Sequence, residues 1–184
     1  MSGHKEAKYR NLIERVKASY LPHDITDDGK ELRLYWCDAC KEINLWTYWQ
    51  GRNSLDAKIL LVGQDWGSPW DESAQKTMEQ IALANHGLPY DYLDENPSIT
   101  DDRMITLFQE IGYDIKQHCS DLFFTNFILG YRNKGLSGGY KKSWADHDKG
   151  YFKELTNIIE PKVILCLGRS TFEDVLSAFN TINS

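Results

Sequence analysis

The residues best suited to chemistry stand where aliphatic runs give way to polar residues. The first group is Gly63-Gln64-Asp65-Trp66-Gly67-Ser68-Pro69. A carboxylate at the end of a strand can orient and polarise a water, and neighbouring glycines let backbone amides approach a substrate or anion. Asp65 or Ser68 can equally cap the turn or the helix that follows. The second is Asn126 within LFFTNFIL. A buried carboxamide both donates and accepts, so it can read the amide-like edge of a heterocycle, and left unpaired it costs about 1–3 kcal/mol. Neighbouring loop backbone would satisfy it as well. The third, Gly168-Arg169-Ser170, follows KVILCLG. Free amides at a helix N-terminus, together with Arg169, can hold a phosphate. Any strand-to-helix turn has much the same composition.

Two further groups carry weaker signals. Cys37 and Cys40 have metal-ligand spacing, but zinc or an iron–sulfur cluster normally takes four ligands. No cofactor is therefore expected, and the bland alternative is a pair of reduced thiols in a cap. Cys119 and Cys166 read as packing residues. In YRNKGLSGGYKKSW, Arg132, Lys134, Lys141 and Lys142 surround a glycine-rich loop flanked by Tyr131, Tyr140 and Trp144. This is either a local cationic patch for a nucleic-acid backbone or a solvated surface loop. A formal net charge of −6 weighs against binding nucleic acid by bulk electrostatics.

The elements that must position these groups are legible in the spacing of apolar residues. Tyr9, Leu12, Ile13, Val16 and Tyr20 give residues 4–20 one apolar helical face. Residues 25–53 read as an irregular cap with an Asp-Asp-Gly turn. KILLVG (58–63), LFFTNFIL (122–129) and KVILCLG (162–168) are aliphatic runs suited to strands buried on both faces of a parallel sheet. Helices are expected over 71–84, 101–111, 143–159 and 170–179. The second of these carries a stripe of Met104, Ile105, Leu107, Phe108 and Ile111 and stops at Gly112. Strands separated by amphipathic helices predict an α/β domain of three α/β/α layers around a central parallel sheet. Ligands bind beyond the carboxyl ends of such strands, where the polar groups above would sit.

With 184 residues and 41% hydrophobic content, the chain suits one domain over 1–184. No apolar run approaches the ~18 residues of a membrane span, and no cleavable leader is visible. Four cysteines are too few for a disulfide scaffold. The expected compartment is the cytoplasm.

In chain order, three segments resemble the uracil-DNA glycosylase superfamily over roughly residues 35–178: KILLVGQDWGSP, MITLFQEIGYDIKQHCSDLFFTNFILGYR and EPKVILCLGRSTFEDVL. The resemblance implies that Asp65 activates the attacking water, that Gln64 lines the pocket and that Asn126 hydrogen-bonds the base beside Gly63. Trp66 stands where many members have proline, and Trp66 and Trp70 are stacking candidates by proximity. The partner implied is DNA, uracil-containing or damaged, with Gly168, Arg169, Ser170 and Arg132 on its backbone. An iron–sulfur branch begins with a cysteine pair like Cys37 and Cys40, but its later cysteine positions are not cysteine here. Family members continue to another strand and a His-Pro-Ser-like loop. All five histidines precede the third strand, so the domain is expected to be incomplete at its C-terminus.

Three functions follow. The leading one is hydrolysis of the N-glycosidic bond of uracil or a damaged base, in an active or an inactive form. The second is a non-catalytic module on the same fold that binds nucleic acid, a nucleotide or a protein. The third is a hydrolase pairing Asp65 with His86 or His118, for which no paired-metal or nucleophile-elbow spacing is present.

Overall fold

Two crossovers in opposite directions about a central strand organise the described elements. The computed structural model describes residues 2–20, 25–26, 33–35, 55–65, 99–115, 121–132 and 141–180. Helix α1 (Ser2–Tyr20) comes first, followed by β1 (Ile25–Thr26), β2 (Arg33–Tyr35) and β3 (Ile59–Gly63). Then come α2 (Ile99–Glu110), β4 (Leu122–Asn126), β5 (Tyr131–Arg132), α3 (Lys142–Ile159), β6 (Val163–Cys166) and α4 (Arg169–Phe179). Strands β4, β3 and β6 form a parallel sheet in that order, with Gly63 opposite Asn126 and Val62 opposite Cys166. The chain moves from β3 to β4 through α2, then back across β3 to β6 through α3. Right-handed crossovers in opposite directions fall on opposite faces. Accordingly, Leu61, Leu122 and Phe124 pack with Met104 and Phe108 of α2, while Leu60, Val62 and Phe123 pack with α1, α3 and α4. The described elements are thus α/β.

Burial explains the central strand. Leu60, Leu61 and Val62 are fully buried, each contributing about 1.5–3 kcal/mol on leaving water. Helix α1 buries Tyr9, Leu12, Val16 and Tyr20 as its spacing predicts, with Ile13 at the margin. Lys5, at the other end of α1, donates to the Leu55 and Ile159 carbonyls at 3.3 and 3.1 Å and ties the helix to the amino edge of the sheet. Helix α2 ends at Gly112, whose φ of 73° favours glycine. Tyr113 N–H donates to Phe108 O and Gly112 N–H to Gln109 O, both at 2.9 Å, closing a Schellman motif.

Four expectations need correction. The strand at Asn126 ends there, and the turn Phe127 to Leu129 is buried without being extended into the sheet. Strand β6 is half-exposed, with Val163 48% accessible, because among the described residues only β3 pairs with it. Leu107 and Ile111 lie off the buried stripe of α2, since a helix turns about 100° per residue and carries them to its flank. The presumed irregular cap contains β1 and β2, which join β5 in an antiparallel sheet. The helix expected over 71–84 lies outside the described residues. Among the described residues, no helix is long and apolar enough to cross a membrane.

Candidate functional site

The carboxyl ends of β3 and β4 bring together four of the residues singled out from the sequence. Parallel register sets Gly63 beside Asn126, and the pairing runs on beyond the strands. Phe127 N–H donates to Gly63 O at 2.9 Å and Ile128 N–H to Gln64 O at 3.0 Å. A Cβ built on Gly63 would overlap Asn126 Oδ1, so glycine at this position makes room for the carboxamide. Asn126 is 4% exposed. Its carbonyl accepts from Thr125 Oγ1 at 3.4 Å, and its carboxamide bonds to no other described residue.

Beside it, Gln64 Nε2 donates to Asp65 Oδ2 at 2.9 Å, and both residues are half-buried. The bond orients the carboxylate from a neighbouring side chain. The edge therefore offers a carboxylate able to take a proton from water and a buried carboxamide able to read a ring with amide-like edges.

The other candidates lie on other elements. Past Cys166, Leu167 N–H donates to Val62 O at 2.8 Å, so the turn at Gly168 leaves the same edge of the sheet. Gly168 has φ 103° and opens α4, but Gly168, Arg169 and Ser170 are all exposed. Arg169 Nε turns along its own helix to Glu173 Oε1 at 2.8 Å, and that bond raises the guanidinium pKa further. Arg132 lies in β5, opposite Leu34. Trp144 is fully buried in the core. Cys166 is half-buried, and burial raises its thiol pKa. Trp66, Cys37, Cys40, Cys119, His86, His118 and Lys134 lie outside the described residues. Among the described residues, no cluster of three His, Cys, Asp or Glu side chains is placed to hold a metal ion.

One polar cluster escaped the sequence reading. Asp148 is fully buried on α3. Its Oδ2 accepts from Tyr20 Oη and from Leu129 N–H, each at 2.6 Å, and its Oδ1 lies 2.7 Å from His147 Nδ1. Gly130 lies against the Tyr20 ring, where a Cβ would overlap it. Burial, then the adjacent Asp148 carboxylate, push the Tyr20 phenol well above its ordinary range, so it stays a neutral donor. The signal for this cluster was a carboxylate on the apolar stripe of α3, between Trp144 and Phe152 at helical spacing. No protein-family model matches the chain, and no curated protein matches its sequence.

Proposed function

We propose that this chain is a cytoplasmic protein of the uracil-DNA glycosylase type, with that superfamily's α/β architecture, acting on uracil or a damaged base in DNA. The observation that carries the reading is the pairing of Gly63 with Asn126, which leaves a buried carboxamide next to the Gln64–Asp65 pair. A base flipped out of the strand would meet Asn126 with its amide-like edge. The N-glycosidic bond would break with its electron pair leaving on the base, and water would capture the cationic sugar carbon. Asp65 would hold that water and take its proton. With a net charge of −6, the DNA would be held by local contacts more than by the field of the whole molecule.

Equilibrium binding of a uracil-containing single strand tests the assignment. Asn126→Ala removes the reading group and is expected to weaken binding by about 1–3 kcal/mol, with the circular dichroism spectrum unchanged. Unchanged affinity in the folded variant would remove Asn126 from the site.

A further inference from the structure

The chain leaving Asn126 is fixed amide by amide. Phe127 N–H goes to Gly63 O and Ile128 N–H to Gln64 O. Leu129 N–H goes to Asp148 Oδ2. The first two bonds tie the turn to β3, and the third ties it to α3. Tyr20 joins α1 to that third bond, because its hydroxyl donates to the same Asp148 Oδ2. A Cβ on Gly130 would overlap the Tyr20 ring, so glycine admits this close approach. His147 holds the second Asp148 oxygen, and its ring packs edge-on against Tyr20 with centroids 5.0 Å apart.

From this geometry we infer that Tyr20 and Asp148 are positioning residues that set where the Asn126 carboxamide sits. The inference rests on the reading of Asn126 as the base-binding group. Neither residue belongs to β3 or β4, yet both hold the turn that begins at the residue after Asn126. A reading group tolerates little displacement, so a recognition site depends on the groups that hold its supports. Loss of the Tyr20 hydroxyl would remove the bond that anchors Asp148 Oδ2 to α1 beside Leu129 N–H and free the segment to shift.

The test uses 15N-labelled full chain and the side-chain amide pair of Asn126, assigned by its disappearance in Asn126→Ala. Tyr20→Phe keeps the ring and removes the hydroxyl. Lys5→Met serves as a control that loosens α1 at its opposite end. The expected result is that Tyr20→Phe shifts or broadens the Asn126 pair and speeds Leu129 amide exchange about tenfold, the scale of one buried hydrogen bond, whereas Lys5→Met leaves both in place. Asp148→Asn keeps the shape of the side chain and should move the same signals, which keeps the test decisive if Tyr20→Phe does not fold. Unmoved Asn126 and Leu129 signals, or equal movement in Lys5→Met, would overturn the inference. Titration of the unaltered protein with free uracil, read at the same pair, tests the base-binding role alone. The two claims can therefore fail separately.

Discussion

Gly63 is the residue on which the candidate site turns, because its missing side chain is the space that the Asn126 carboxamide fills. Gly63→Ala would push a methyl group into Asn126 Oδ1. Overpacking of this kind costs about 1–3 kcal/mol. The variant is expected to melt earlier and to bind a uracil-containing strand as weakly as Asn126→Ala, which a thermal melt and a binding titration would check together. Wild-type affinity in Gly63→Ala would mean that the carboxamide is not read in place. Gln64, Asp65 and Asn126 were legible in the sequence because polar residues at the ends of aliphatic runs are conspicuous. Tyr20 and Asp148 were not, since they meet only when α1 and α3 pack side by side, at 128 residues' separation. Trp144 was misplaced because an aromatic residue near lysines looks like a surface group until the period of α3 turns it inward.

At the scale of elements, α4 carries a feature that titration can expose. Asp174 Oδ2 is buried without a hydrogen-bond partner among the described residues, and burial raises the pKa of its carboxyl. A carboxyl whose folded pKa lies above its unfolded one binds its proton more tightly when folded. Its contribution to stability is therefore full below the unfolded value near pH ~4 and is lost as pH rises through the higher folded value. Asp174→Asn should match the parent near pH ~3 and gain on it in melting temperature as pH increases, reaching a plateau by neutrality. A difference independent of pH would show that the ionised carboxylate carries no penalty. The helices α1, α3 and α4 were readable from apolar periodicity and stop signals, including Pro161 after the left-handed Glu160. A continuous aliphatic run, by contrast, does not distinguish a central strand from an edge one, so β3 and β6 looked alike and differ in burial. Strands as short as β1, β2 and β5 hold too few residues to display a period.

Over the whole molecule, the two faces of the sheet have different tasks. One face, covered by α2, supplies packing around Leu61 and Phe124. The other, covered by α1, α3 and α4, also contains the buried Tyr20–Asp148 cluster and so couples the core to the turn after Asn126. The parallel sheet and its crossovers were foreseeable from the order of strands and helices. The antiparallel β1–β2–β5 sheet was not, because β5 pairs with β2 from far along the chain. On the proposed reading, this edge of the sheet hydrolyses a base from DNA with Asp65 as the group that activates water. The decisive experiment is release of free uracil from a uracil-containing single-stranded oligonucleotide, by the unaltered protein and by Asp65→Asn. Release is expected from the first, with a loss of roughly 10²–10⁴-fold in the second. No release from well-folded protein, or equal release from the variant, would contradict it.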